Sequence, residues 1–283
     1  KAKLHIMQRL AGKVAIVTAS TAGIGLGIAR RLAQEGAGVM ICSRKLENVQ
    51  KTVDMLRSEN LKVEGIPCHV GKAEDRENLI KATLDKFGGR IDALVSNAAV
   101  NPAYGPLQEM SESQWEKIFD INVKSAFLLS KEVIPVMQQQ KSGSIVMVSS
   151  IAAYTAIEGL GAYSISKTAL LGLSKVIAHE QAQYGIRCNC IAPGIVKTHF
   201  SEALWTDQKV HDKVVRQVPL RRFGEAEDIA GAAAFLCSAD SSYVRVHLHF
   251  GESLSQLSDD WGDHGDRWRN ASCKDLELSD SQD

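Results

Sequence analysis

Thr18-Ala19-Ser20-Thr21-Ala22-Gly23-Ile24-Gly25 joins an apolar run, Val14-Ala15-Ile16-Val17, to a stretch with helical periodicity. The reading of this stretch decides the fold. Gly23 and Gly25 let the backbone turn tightly and leave room beside it for a ligand. The helix that follows offers unpaired N–H groups and the positive end of its dipole. Together they make a cradle for an anion such as a pyrophosphate, with the Ser20 and Thr21 hydroxyls as added donors. A Gly-x-Gly alone also fits an ordinary strand-to-helix turn. Its place after the first strand of a β-α-β unit favours the phosphate cradle, with Thr18, Ser20, Thr21, Gly23, Ile24 and Gly25 as its contacts.

Outward from this loop, strand-length apolar runs alternate with longer amphipathic stretches. Val14–Thr18, Gly38–Cys42, Leu61–Ile66, Ile91–Val95, Ser144–Val148 and Ile186–Ile191 read as strands. The runs are nearly continuous in Val, Ile and Ala, as strands covered on both faces are. Helices are predicted over 23–35, 45–59, 73–87, 112–138, 162–184 and 225–238. Repeated β-α units imply a single α/β domain over residues 1–243, with a doubly wound, mostly parallel sheet and helices on both faces. Right-handed crossovers place the strand C-termini on one edge, where ligands bind. Pro219 and the charged segment before it read as a mobile excursion after the sixth strand. Residues 251–283 hold nine acidic and three basic residues and read as a solvated tail.

Composition narrows the function. Lys+Arg and Asp+Glu number 33 each, so the formal net charge is zero. That argues against a general polyanion binder, and no nucleic-acid partner is expected. No apolar run is long enough to span a bilayer. Residues 1–12 are too short and too weakly patterned for a signal or transit peptide. The expected compartment is intracellular, the cytoplasm first; peroxisome or mitochondrion would need an address this sequence does not display. The six cysteines form no CxxC pair and have no His partners at zinc-finger spacing. His5, His179, His199, His211, His247, His249 and His264 also lack ligand spacing, so no metal is expected. Arg221-Arg222 reads as a loop cluster with local partners.

The second strand runs out at Ser43-Arg44-Lys45, about twenty residues past the glycine loop, where a ribose contact falls in such units. An acid there would bind a 2′-hydroxyl and repel a 2′-phosphate. No acid is present, and Arg44 offers a planar donor fork suited to phosphate. The pattern favours NADP(H) over NAD(H), with Ser43 and Arg44 as contacts; a solvated basic helix start is the plainer alternative.

A second constellation lies downstream. Tyr163-Ser164-Ile165-Ser166-Lys167 opens the helix after the fifth strand, and Tyr163 and Lys167 share one helical face. Ser149-Ser150 ends that strand on the ligand edge. A free tyrosine has a pKa of about 10 and is a poor acid or base near neutrality. An ammonium one turn away favours the phenolate. A lone YxxxK is common and is most often a surface pair. Its coincidence with a strand-end serine and a phosphate loop is not.

On these residues the chain resembles the short-chain dehydrogenase/reductase family from about Leu10 to Tyr243. The glycine motif, Ser96-Asn97-Ala98-Ala99, Asn122, Ser150, Tyr163/Lys167 and Pro193-Gly194 follow the family's order and spacing. Cys68–Arg76, Val95–Pro102 and Ser149–Tyr154 resemble its NADP-dependent retinol dehydrogenase/carbonyl reductase branch. The resemblance implies a Rossmann-like domain and a catalytic group of Asn122, Ser150, Tyr163 and Lys167. Ser150 would hold the substrate carbonyl, and Tyr163 would exchange the proton. Lys167 would bind the nicotinamide ribose and lower the tyrosine pKa. Asn122 would hold a relay water through a local break in its helix. Further cofactor contacts implied are His69 and Val70 at the adenine, Asn97 and Ala98 beside the central strand, and Pro193, Gly194 and Thr198 at the nicotinamide. The substrate would be a small carbonyl or alcohol (a dicarbonyl, aromatic ketone or retinal) held between Ile151–Gly161 and the segment near Phe200–Val218. A homodimer or homotetramer built on helices 112–138 and 162–184 is implied.

The sequence departs from the family at Ala19, His69 and Ala99, and most at its end. Val244-Arg245-Val246-His247-Leu248-His249-Phe250 replaces the family's Thr-Gly ending, yet its alternation suits a replacement strand. That ending motivates a rival reading, a cofactor-binding regulatory or scaffold protein with little turnover. An epimerase or dehydratase would need a larger C-terminal substrate domain.

Overall fold

The computed structural model describes residues 8–244 and the backbone of 247–250. Seven parallel strands make one sheet: β1 (Val14–Val17), β2 (Gly38–Ser43), β3 (Val63–Pro67), β4 (Ala93–Ser96), β5 (Gly143–Val148), β6 (Ile186–Pro193) and β7 (His247–Phe250). Their order is β3-β2-β1-β4-β5-β6-β7. The chain starts in the middle, winds to one edge, and returns to wind towards the other. The reversal lies between β1 and β4, which pair directly through Ala15↔Ala93 to Val17↔Val95. A crevice forms at such a switch point, outside the strand C-termini.

Helices α1 (Gly23–Gln34), α2 (Leu46–Ser58) and α8 (Ala226–Cys237) cover one face, and α3 (Ala73–Lys86), α5 (Ser125–Gln140) and α6 (Gly161–Glu180) the other. Successive residues of β1 serve opposite cores. Ala15 and Val17 join Ile28, Leu32 and Ile229, while Val14 and Ile16 join Leu79, Leu129 and Leu170. This is why the central strands β1 and β4 are nearly continuous apolar runs, whereas the edge strand β3, with Glu64, alternates between buried and more exposed positions. Each large aliphatic buried in this way contributes about 1.5–3 kcal/mol.

The replacement strand forms: β7 pairs parallel with β6 through Cys190↔His247 to Pro193↔Phe250. The acidic segment 251–283 lies outside the described residues.

Two expectations need correction. The helix over 112–138 is split into α4 (Glu112–Phe119) and α5 by a π-turn at Asp120–Lys124. The excursion before Pro219 is helical: a 3-10 segment, His199–Leu204, leads into α7 (Gln208–Gln217). Asp207 caps α7 by accepting the N–H groups of Lys209 and Val210. Val210 and Val214 then bury against Leu204 and Phe223. One turn's spacing between apolar residues sufficed, although the charged surroundings masked it.

Candidate active site

The ends of β1, β4, β5 and β6 open onto one cleft. Gly23–Gly25 lines it, as do Tyr104, Phe200 and Leu204. Helix α1 begins with no side chain capping its N–H groups and no acid in its first turn. Those donors are left for an anion. At Gly25 a Cβ would stand 2.4 Å from the Ala19 carbonyl oxygen and 2.6 Å from Asn97 Nδ2, so the close turn needs glycine. Ala19 adopts φ +49°, in the left-handed region, at a cost of roughly 1–2 kcal/mol. This backbone cradle fits the pyrophosphate of a dinucleotide.

Thr18 and Ser20 take another part than the expected one of donors to phosphate. Both are fully buried. Thr18 Oγ1 accepts the N–H groups of Asn97 (2.9 Å) and Ala98 (3.1 Å). Asn97 Nδ2 in turn donates to the carbonyls of Thr18 (3.0 Å) and Ala19 (3.1 Å). Ser20 Oγ donates to the Val17 carbonyl (2.6 Å) and accepts the Cys42 N–H (3.1 Å). Buried hydroxyls must be satisfied, and these are spent bracing the loop against β4 and β2. Thr21 is half-buried and stands off the cleft lining.

Ser43 ends β2, and Arg44 stands exposed beyond it. His69 lies at the same end. Its Nδ1 accepts the Gly71 N–H (3.2 Å), and its own N–H donates to Asp75 (2.7 Å). Burial lowers the His69 pKa first, and the cations of Lys117, Arg44 and Lys72 lower it further. The ring is therefore neutral near pH 7, with its proton on Nε2. Val70 is buried in the core beside Cys68 rather than exposed to a ligand.

Ser150, Tyr163 and Lys167 line the cleft together. The Ser149 hydroxyl is spent on the Lys167 carbonyl (2.8 Å). The Ser150 oxygen accepts the Ala152 N–H (3.1 Å), and its hydroxyl is close enough to the Tyr163 phenol to draw that pKa down. Lys167 is 2 % exposed; its Nζ donates to the Val148 carbonyl (2.8 Å) and lies 5.6 Å from the Tyr163 ring centroid. The lowering of Tyr163 expected from Lys167 does not appear. Burial pushes the phenol up to about 12, against a smaller pull downward from Ser150. Burial also takes Lys167 down to about 8. The ammonium is engaged by a backbone carbonyl and lies below the ring rather than at the phenol oxygen.

Asn122 sits in the π-turn, 1 % exposed. Its Oδ1 accepts the Val100 N–H (2.8 Å). Its Nδ2 donates to the Val100 carbonyl and to Ser166 Oγ, both at 3.0 Å. Ser166 Oγ donates onward to the Tyr163 carbonyl (2.7 Å). The break in the helix is as expected, but the side-chain amide has spent both its donors. Any relay water would fall to the backbone carbonyl.

Pro193 and Gly194 line the cleft where β6 ends, and Thr198 begins the 3-10 segment. A Cβ on Gly23 would come within 3.1 Å of Thr198 Cγ2, so the base of that segment rests on the glycine loop. Phe200 lies over the phenol, ring centroids 5.8 Å apart. Of the segment near Phe200–Val218, expected at the substrate, Trp205 and Val210 do not line the cleft. Trp205 Nε1 donates to the Thr198 carbonyl (3.1 Å), and Val210 is on the buried face of α7. Arg222 pairs with Asp228 (2.6 Å), a local partner as expected. Ile157 and Leu160, from the expected loop Ile151–Gly161, also line the cleft, as does Tyr104. No motif marked Tyr104, because loops give no periodic signal.

Residues 18–250 match the family described as Enoyl-(Acyl carrier protein) reductase. The chain is 54% identical over 235 residues to the human protein named Dehydrogenase/reductase SDR family member 4, spanning 83% of this chain and 84% of that one. The rabbit (Oryctolagus cuniculus) protein of that name is 55% identical over 235 residues, spanning 83% and 90%. Among solved structures, a single-substitution variant of actinorhodin polyketide ketoreductase with NADPH superposes with a TM-score of 0.81 at 28% identity, covering 88% of this chain and 99% of that one. A putative gluconate dehydrogenase from Agrobacterium tumefaciens gives 0.83 at 29%, covering 90% and 100%. With its glycine loop, strand-end serine and tyrosine–lysine helix in one cleft, the chain belongs to the short-chain dehydrogenase/reductase family of oxidoreductases.

Proposed function

We propose that this chain is an NADP(H)-dependent carbonyl reductase, reversible as an alcohol dehydrogenase. The observation that carries the reading is the Ser150–Tyr163–Lys167 group, set in a cleft that continues to the uncapped start of α1. When bound, the nicotinamide cofactor supplies or takes up hydride. Ser150 has one lone pair on the Ala152 N–H, so its proton is free to turn from Tyr163 to a carbonyl oxygen. Tyr163, held neutral by burial, donates a proton to that oxygen as negative charge develops there. Lys167, whose ammonium lies at the face of the Tyr163 ring, would hold a ribose hydroxyl of the cofactor. Arg44, with Lys72 and Lys117 near His69 and no acid at the end of β2, supports a 2′-phosphate and so NADP(H). Thr18, Ser20 and Asn97 position the loop; Gly23, Ile24, Gly25, Pro193, Gly194 and Thr198, which line the cleft, would border the cofactor, with Ser43 at the end of β2. Apolar residues of the cleft suit ketones and aldehydes, including dicarbonyls, aromatic ketones and retinal.

The test is NADPH consumption against such carbonyls, with NADH in parallel. Turnover with NADPH well above that with NADH is expected. Tyr163→Phe keeps the packing and removes the proton; reduction should fall by a factor of about 10² to 10⁴. A Tyr163→Phe protein as active as the wild type would end this reading.

A further inference from the structure

Tyr104 lies in the loop between β4 and α4, a few residues beyond Asn97-Ala98-Ala99 and outside every motif of the site. The structure places it at three joints at once. It lines the cleft that holds Ser150 and Tyr163. It packs against Leu204 and the cluster beneath α7. On its remaining side it lies against Gly159, where a Cβ would stand 2.4 Å from the ring. Gly159 has φ +76°, and its carbonyl accepts the Gly105 N–H (3.1 Å), so the two loops are clamped on each other beside the ring. Phe200, 5.8 Å from the Tyr163 ring, brings a second aromatic to the same cleft.

We infer that Tyr104 is a specificity-determining residue: with Phe200 it takes the flat apolar group of a substrate whose carbonyl sits at Ser150 and Tyr163. The inference rests on the carbonyl-reductase reading above. Its physical content is a division of labour. Hydrogen bonds from Ser150 and Tyr163 act on any carbonyl, whatever its substituent. The aromatic pair acts only on a group large enough to reach it, and offset or tilted ring contacts favour a flat one. Tyr104 is fixed by its neighbours before any ligand arrives, so little ordering is lost on binding. Its loop is joined to the one between Ser150 and Tyr163 by the backbone bond of Gly105 to Gly159, which does not use the ring, so removing the ring leaves the proton-transfer group in place.

The experiment compares two carbonyls with NADPH at saturation: a four-carbon vicinal diketone and a phenyl ketone. The proteins are wild type, Tyr104→Phe and Tyr104→Ala. For Tyr104→Ala, KM for the phenyl ketone should rise by about tenfold, with kcat little changed and the small diketone unaffected. Tyr104→Phe should behave as wild type, because the ring and not the hydroxyl is used. Gly159→Ala, which displaces the ring without deleting it, should reproduce the selective KM rise. Equal losses on both carbonyls in Tyr104→Ala would make the residue merely structural and overturn the inference. Unchanged kinetics on the phenyl ketone would overturn it too. If wild type reduces the small diketone but not the phenyl ketone, the inference falls while the carbonyl-reductase reading stands. If wild type reduces neither, both fall.

Discussion

A lysine with 2 % exposure whose ammonium is held by a backbone carbonyl is a costly thing to keep, and Lys167 shows the cost in its proton affinity. Its pKa drops from 10.5 to about 8 through burial, a difference of about 3 kcal/mol between its charged and neutral forms. The sign follows from linkage. Above pH 8 the folded chain releases this proton while the unfolded chain still holds it, so stability gains from this group as pH rises from about 8 to 10.5. Below 8 the full penalty is present. Lys167→Met should therefore be more stable than wild type at pH 7, by up to about 3 kcal/mol, and the gap should narrow as pH rises from 8 to 10. Urea unfolding of the ligand-free protein across that range checks it. A Lys167→Met protein less stable at pH 7 would mean that the bond to Val148 outweighs desolvation. The same variant should lose most activity, as expected where a site is kept at the expense of stability.

Among the elements, the π-turn at Asp120–Lys124 does the most to shape the site. Without it, α4 and α5 would be one helix and Asn122 would not meet Val100 and Ser166 together. The Asn122 side chain ties three elements: the loop after β4, the π-turn and the start of α6. Asn122→Ala removes three hydrogen bonds and leaves the Val100 N–H and carbonyl without their partners. Destabilisation of about 2–3 kcal/mol is expected. Because Ser166 connects the amide to the Tyr163 carbonyl, kcat should fall more than KM rises. Thermal unfolding and steady-state kinetics on one preparation test both parts. A variant with wild-type Tm and kcat would show that the three bonds are replaceable.

At the scale of the molecule, exposed apolar side chains gather on α4, α5 and α6. Trp115, Phe127, Ile165 and Val176 are all exposed there. This supports the proposed homodimer or homotetramer built on these helices, since such residues are usually covered in an assembly. Light scattering should give a mass at least twice the 30.8 kDa of one chain. Phe127→Lys with Val176→Lys should reduce it to that of one chain without touching the cleft. A wild type that is monomeric at micromolar concentration would refute the assembly. Among the described residues no helix is long and apolar enough to cross a membrane.

The sequence by itself determined the parallel α/β sheet, because nearly continuous apolar runs of strand length alternate with longer amphipathic stretches, and length separates the two. It also determined which residues would meet in one cleft, since right-handed crossovers leave no choice of edge for Gly23–Gly25, Ser150 and Tyr163. The alternation of Val244 to Phe250 was enough to announce a last strand, and β7 pairs with β6. Only the tertiary structure decided how the hydroxyls of Thr18 and Ser20 are used, because a donor's partner depends on burial that composition does not state. It decided that Lys167 bonds Val148 rather than easing Tyr163, since a helical spacing places two residues on one face but does not aim a flexible ammonium. It alone brought Tyr104 to the cleft and Lys117 towards His69. These are long-range meetings, where neither period nor motif carries information about a neighbour distant in the chain.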